Sequence, residues 1–92
     1  MVKTRKHLYI EGRVQGVGFR STVQQKANKL KINGWVKNLY DGRVEAVFTG
    51  QFNNIEKMIK YVKKGPGFAS IYNVEVIDEH FINEFNKFHI KY

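Results

Sequence analysis

The segment best suited to chemistry is glycine-rich, reads GRVQGVGFR and runs from Gly12 to Arg20. Glycines in front of a helix allow consecutive backbone N–H groups to converge on one point, and the helix dipole adds to their attraction for an anion. Arg20 could add a planar fork of donors to the same oxygens, and Arg13 raises the local positive potential. The pattern therefore indicates an anion site. A flexible loop with a solvated arginine is the alternative that spacing alone leaves open, and the Gly-Lys-Ser/Thr of a nucleotide P-loop is missing.

Asn38 is the second candidate, because asparagine is depleted in strands and this one follows Trp, Val and Lys near the end of a predicted strand. Its side-chain amide both donates and accepts hydrogen bonds, so it could hold a water molecule. The alternative is that the strand ends at Lys37 and that Asn38 serves the turn that follows. The sequence alone leaves both interpretations open.

Metal-binding side chains show no ligand spacing. The chain has no cysteine, and its three histidines, His7, His80 and His89, fit sheet or surface positions better than a metal site. Asp78 and Glu79 close a predicted strand, and we expect them to be solvated. We therefore expect neither a metal nor another cofactor.

The composition indicates one globular domain spanning residues 1–92, with 42% hydrophobic and 14% aromatic residues to fill a core. No stretch approaches the roughly 20 apolar residues of a membrane span, so we expect a cytoplasmic protein without a membrane partner. The net charge is +8, and residues 1–50 hold ten basic against three acidic side chains while residues 51–92 hold six against five. An anionic partner should therefore bind the first half of the chain.

The first half of the chain combines strand and helix patterns. Alternation over residues 7–14 predicts a first strand. Ser21, with Gln24 three positions later, resembles a capping box and predicts the start of a helix that stops at Asn33-Gly34. Three apolar residues of that helix fall at helical spacing: Val23, Ala27 and Leu30. Two strand-like runs, 35–39 and 44–48, then flank a turn with Asp-Gly, which is typical of a hairpin.

The second half predicts one helix between strands. We expect Asn53 to cap this helix, with Glu56 at the third helical position, and Gly65-Pro66 to end it. Its apolar stripe consists of Ile55, Met58, Ile59 and Val62. Residues 71–77 predict a fourth strand, and alternation over 88–92 predicts a short C-terminal edge strand. The order β-α-β-β-α-β predicts an α+β fold, the ferredoxin-like sandwich with two helices on one face of an antiparallel sheet.

Two motifs carry a resemblance to a known family. The segment 12–20, followed by GWVKN over 34–38 and DGRVE over 41–45, resembles the paired signature of the acylphosphatases, whose fold is also the ferredoxin-like sandwich. The resemblance implies that Arg20 binds phosphate and that Asn38 positions the attacking water. It also implies a phosphate cradle made of the backbone amides of Gln15, Gly16, Val17, Gly18 and Phe19. Some members have threonine after the asparagine, where this chain has Leu39, so any role of that hydroxyl is absent.

The resemblance implies hydrolysis of a small acyl phosphate to a carboxylate and inorganic phosphate. A carboxylic acid has a pKa near ~4, so its carboxylate leaves without a strong general acid. The amides and Arg20 can then supply the charge stabilisation without metal. We expect inorganic phosphate or sulfate to compete for the site, and we expect a monomer.

Two other functions remain as alternatives. A ferredoxin-like sheet with aromatics could be a nucleic-acid-binding module, but the aromatic RNA-binding signature is missing from residues 44–48. The chain could also be a non-catalytic domain that binds an acyl or carbamoyl phosphate. Retention of both Arg20 and Asn38 argues against that possibility.

Overall fold

The computed structural model describes residues 2–92, which form five strands and two helices. The elements are β1 (Lys3–Arg13), α1 (Phe19–Lys29), β2 (Asn33–Asn38), β3 (Val44–Gln51), α2 (Phe52–Lys63), β4 (Ser70–Glu79) and β5 (Phe88–Lys91). The predicted β-α-β-β-α-β order and the strand at the C-terminal end are confirmed. No helix within residues 2–92 is long and apolar enough to cross a membrane.

The five strands form one sheet in the order β4-β1-β3-β2-β5. Strand β1 pairs antiparallel with both β3 and β4, and β2 pairs antiparallel with β3 through the predicted hairpin. The edge strand β5 is the exception, because it pairs parallel to β2 with Phe88 opposite Gly34. The sheet is therefore mostly antiparallel, and β5 lies beside the strand that ends at Asn38.

One apolar core lies between the helices and one face of the sheet. Its largest fully buried side chains include Leu8 and Ile10 of β1, Phe48 of β3 and Ile55 of α2. Because side chains alternate along a strand, the opposite parity points away from the helices. We call that surface the open sheet face. It carries Arg5, His7, Tyr9, Trp35, Lys37, Glu45, Val47, Glu79, His89 and Lys91.

Helix α1 differs from its prediction at both ends. It begins at Phe19 after Gly18, with no side-chain cap, so Ser21 is a helical residue and not a cap. It ends at Lys29, before the predicted stop, because Lys31 adopts a left-handed φ of 55° and the Ile32 amide donates to the Ala27 carbonyl at 2.8 Å.

The Asn33-Gly34 pair starts β2 and does not stop the helix. Gly34 has a φ of 137°, and a Cβ there would lie 1.9 Å from the Val47 carbonyl oxygen. This glycine therefore permits a close approach between β2 and β3.

The predicted cap of α2 is also wrong. Gln51, in extended conformation, occupies the N-cap position without a side-chain bond, and Asn53 and Glu56 lie inside the helix. The Phe52 amide instead donates to the Val2 carbonyl at 2.8 Å, so the chain entering β1 supplies a partner for the helix N-terminus. The predicted end is confirmed, because the helix stops at Lys63, just before Gly65-Pro66.

Candidate active site

The loop between β1 and α1 spans residues 14–18 and opens onto a small pocket. Gly16 and Gly18 have φ values of 74° and 75°, a left-handed conformation that other residues adopt at a cost. A Cβ at either glycine would meet no atom within 4 Å, so open space lies beside both. Thr22 donates to the Gly18 carbonyl through its hydroxyl at 3.0 Å and its amide at 3.1 Å, which anchors the loop to the first turn of α1.

The start of α1 carries no side chain that would neutralise the positive end of the helix dipole. Its first turn holds no acidic residue, and no side chain caps its amides. The N–H groups of that turn are therefore available to an anion, and the helix dipole favours one there. The absence of the cap predicted at Ser21 thus has a chemical consequence.

Arg20 lies in this first turn and reaches across to β5. Its Nη1 donates to the Lys91 carbonyl at 3.3 Å, and its guanidinium carbon lies 4.8 Å from the centre of the Tyr92 ring. A guanidinium has five N–H donors, so most of them remain for an anion. The contacts hold Arg20 at the edge of the pocket.

Asn38 is the last residue of β2, so the strand continues one residue further than the turn alternative requires. Its Oδ1 atom is buried and has no hydrogen-bond partner in the part of the chain that the structure describes. The turn is held by Asp41 instead, whose carboxylate accepts from the Arg43 amide at 3.1 Å and from Arg43 Nε at 2.8 Å. A buried amide oxygen without a donor is costly unless a water or a ligand supplies one.

The pocket has a volume of about 110 Å³ and brings the loop, Arg20 and Asn38 together. Its lining residues are Val14, Gly16, Gly18, Phe19, Arg20, Ser21, Asn38, Ile90 and Tyr92. Four of them were not among the site residues predicted from the sequence: Val14, Ser21, Ile90 and Tyr92. The sequence predicts a strand at the C-terminal end of the chain, but nothing in it indicates that residues 90–92 form a wall of this pocket. That contact depends on the parallel pairing of β5 with β2.

Three of the predicted cradle residues also contact other parts of the fold. The Phe19 side chain is buried in the core and Val17 packs against the core. Of the predicted cradle residues, Gly16, Gly18 and Phe19 line the pocket, whereas Gln15 and Val17 do not. The Gln15 side chain turns to the β2–β3 connection, where Nε2 donates to the carbonyls of Leu39 at 2.7 Å and Arg43 at 2.9 Å.

The two charged side chains of the turn, Asp41 and Arg43, shift each other's pKa. The backbone N–H of Arg43, followed by its guanidinium, lowers the pKa of Asp41, and the Asp41 carboxylate in return raises the pKa of Arg43. On the neighbouring strand, desolvation and then Glu45 raise the pKa of Tyr9. None of these three groups is in the lining of the pocket.

The histidines occupy sheet and surface positions, and His7 is held by two carboxylates. Its Nε2 lies 2.6 Å from Glu45 Oε2 and its Nδ1 lies 3.0 Å from Glu79 Oε2. At the end of β4, Asp78 pairs with Lys6 but is exposed, as predicted, whereas Glu79 is partly buried and pairs with Arg5. No group of three or more His, Cys, Asp or Glu within residues 2–92 is placed to hold a metal ion.

The chain is similar to known proteins over nearly its whole length. A family model described as Acylphosphatase matches residues 6–90. An acylphosphatase of Syntrophobacter fumaroxidans is 46% identical over 92 residues, which is all of this chain and 95% of that protein. The crystal structure of the acylphosphatase from Bacillus subtilis superposes with a TM-score of 0.92 at 38% identity, covering 97% of this chain and 99% of that one. The acylphosphatase of Coxiella burnetii gives a TM-score of 0.90 at 35% identity, covering 97% and 93%.

Proposed function

The chain belongs to the acylphosphatase family of acyl phosphate hydrolases, and from that premise we propose that the reaction takes place in the pocket between the 14–18 loop, Arg20 and Asn38. The substrate is an acyl phosphate. Water attacks phosphorus, a P–O bond forms on the water side, and the bond from phosphorus to the acyl oxygen breaks. The electron pair leaves on the carboxylate, and the water proton passes to a phosphate oxygen or to solvent.

The phosphoryl group is bound by the amides of Gln15, Gly16, Val17, Gly18 and Phe19 together with Arg20. The left-handed glycines and the uncapped start of α1 support this assignment, because glycines of this conformation allow successive N–H groups to converge and an uncapped helix start leaves its first N–H groups available. Phosphoryl transfer needs mainly positioning and charge stabilisation, which preorganised amides and a guanidinium supply. The carboxylate leaving group is weakly basic, so no general acid is assigned.

Asn38 holds the attacking water. The single observation that carries this role is the Asn38 Oδ1 atom, which is buried without a partner within residues 2–92 and belongs to a residue that lines the pocket together with Arg20. A water that donates to this oxygen satisfies it, and that water is then oriented toward a phosphoryl group bound by the loop. Positioning of this kind contributes to the rate because it removes the entropy cost of bringing the reactants together.

Several broader properties belong to the same proposal. Residues 1–92 act as one catalytic domain and as a monomer in the cytoplasm. No metal or other cofactor takes part, so a chelator should leave activity unchanged. Phosphate and sulfate compete for the amides and Arg20.

The positive charge steers small anions, and we propose no nucleic-acid partner. An RNA that binds below micromolar concentration in physiological salt and resists displacement by acyl phosphate would contradict this last point.

The test is hydrolysis of benzoyl phosphate by the wild type, Asn38→Ala and Asn53→Ala. Asn38→Ala should lower kcat about 100-fold with little change in KM, which is the scale of a misplaced reacting group. Asn53 is exposed on α2, so the matched control should keep wild-type kinetics. A normal kcat in Asn38→Ala, with only a lower melting temperature, would show that Asn38 is a structural residue.

A further inference from the structure

The Gln15 side chain makes two hydrogen bonds to the β2–β3 connection. Binding of an anion by the Gln15 backbone amide would not require them. A glutamine amide has two N–H donors, and both are used here, one on the Leu39 carbonyl at 2.7 Å and one on the Arg43 carbonyl at 2.9 Å. The side chain is partly buried. It therefore joins the glycine-rich loop to the β2–β3 connection across an interval of 24 and 28 residues.

The two acceptors lie at the base of the hairpin turn. The Arg43 carbonyl also accepts the Leu39 amide at 2.8 Å, and the Leu39 carbonyl accepts the Gly42 amide at 3.3 Å. The Gln15 amide thus bonds to both chains where they leave the ladder. Leu39 directly follows Asn38, so holding the Leu39 peptide restricts where the backbone of Asn38 can lie.

We propose that Gln15 is a positioning residue that keeps Asn38, and the water it holds, in register with a phosphoryl group bound by the 14–18 loop. The inference rests on the proposed function. Gln15 begins the cradle with its backbone and bonds to the carbonyls of Leu39 and Arg43 with its side chain. It thus links the two halves of the reaction centre directly, in addition to the ladders of β1, β3 and β2 and to the bond from Arg20 to Lys91 of β5.

The expected signature follows from this geometry. Gln15→Met keeps the length of the side chain and removes both donors. The cradle amides remain, so KM and the inhibition constant for phosphate should change by less than about twofold. The hairpin next to Asn38 loses its bonds to the loop, so Asn38 can shift. Displacement of a reacting group by about 1 Å lowers the rate up to ~100-fold, so kcat should fall by roughly 10-fold or more.

A double-mutant cycle with benzoyl phosphate tests the coupling. Because Gln15 acts through Asn38, adding Gln15→Met to Asn38→Ala should lower kcat by less than about twofold further. Gln24→Met is the matched control, because Gln24 Nε2 also donates to a backbone carbonyl, that of Phe88 at 3.2 Å, away from the hairpin. The control should keep the wild-type kcat and lose at most some thermal stability.

Two results would overturn the proposal. One is a wild-type kcat in Gln15→Met. The other is a full additional loss in the Asn38→Ala background, which would mean that Gln15 acts independently of Asn38. If Gln15→Met does not fold, Gln15→Leu gives the second variant, with no donor and no added charge. Slow hydrogen exchange of the Gln15 side-chain amide in wild-type protein checks the two bonds directly, and fast exchange counts against them.

This experiment separates the inference from the proposed function. A wild type that does not hydrolyse benzoyl phosphate, or an unaffected Asn38→Ala, contradicts the proposed function. An active wild type and an impaired Asn38→Ala, together with an unaffected Gln15→Met, contradict only the role of Gln15.

Discussion

The pocket and the open sheet face use polar side chains in opposite ways. On the open sheet face, Arg5 pairs with Glu79 and Glu84, and His7 lies between Glu45 and Glu79. In the pocket, Asn38 has a buried oxygen without a partner, and the first turn of α1 has amides without a cap. Thr4 Oγ1 on β1 is also buried without a partner within residues 2–92, so a missing partner alone marks no site; at Asn38 it coincides with a pocket lining that also contains Arg20.

The same contrast extends to the cations. Trp35 on the open sheet face lies under Lys91, whose Nζ is 4.3 Å from the ring centre, and near Lys37 at 5.5 Å. Arg43 covers the Tyr9 ring at 5.0 Å while its Nε bonds Asp41. Arg20 has an aromatic neighbour too, and no carboxylate pairs with it within residues 2–92. Lys91 likewise has no such partner, but only Arg20 lines the pocket.

Replacing one arginine in each region should give the largest difference. Arg20→Gln should nearly abolish turnover and weaken inhibition by phosphate, because the guanidinium holds the phosphoryl oxygens in both the bound substrate and the transition state. Arg5→Gln should keep kcat and lower the free energy of unfolding by about 1 kcal/mol. Kinetics and urea unfolding of both variants check the comparison. An inactive Arg5→Gln would contradict the functional difference between the pocket and the open sheet face.

Replacing one left-handed glycine in the pocket and one outside it should give the next effect. Gly18→Ala and Gly67→Ala both place a side chain at positive φ, 75° and 66°, and each should cost about 1–2 kcal/mol of stability. Only Gly18→Ala reorients cradle amides, so only that variant should lose roughly 10-fold or more in kcat/KM. Equal kinetic losses in the two variants would assign the effect to general destabilisation.

Phosphate should stabilise the wild type through the pocket alone. At ten times its dissociation constant a ligand adds about 1.4 kcal/mol, which raises Tm by several degrees in a domain of this size. Arg20→Gln should lose most of this shift, and Arg5→Gln should retain it. Thermal unfolding with and without phosphate measures the effect. A full shift in Arg20→Gln would place the anion elsewhere.

The smallest effect is the pH dependence of the turn. The folded-state pKa of Asp41 lies below its ordinary value, so its ionisation stabilises the fold above that value, and the contribution is lost as the pH falls through the folded-state pKa. The Arg43 backbone N–H is the main cause, so Arg43→Gln should leave the pKa of Asp41 still lowered, though by less. Titration of the Asp41 carboxyl by NMR checks this order, and an ordinary value in the variant would assign the effect to the guanidinium.

The sequence predicted the fold well because its patterns are local. Alternation in β1, the Asp-Gly turn and the stripe of α2 fixed the element order and the hairpin. The helix starts were predicted less well. The rule behind the Ser21 and Asn53 predictions assumes a side-chain cap, whereas α1 begins after Gly18 without one and the Phe52 amide of α2 donates to the Val2 carbonyl.

The part of the site that lies in one continuous segment was predictable from the sequence. The glycine loop and Arg20 are adjacent in sequence, and Asn38 stood out by its type. The wall formed by Ile90 and Tyr92, and the bonds from Gln15 to the hairpin, depend on strand pairings distant in sequence, so composition and spacing could not reveal them. The roles of these residues in the reaction stay predictions until the variants are measured.

The parallel docking of β5 gives the molecule an internal reporter. Trp35 is the single tryptophan of the sequence, its register partner on β5 is His89, and the Lys91 ammonium lies over its ring. The same strand supplies Ile90 to the pocket and the carbonyl that holds Arg20. Indole fluorescence therefore responds to the same event that closes the pocket wall. In a refolding experiment, the optical signal of this long-range pairing and the recovery of turnover should rise together.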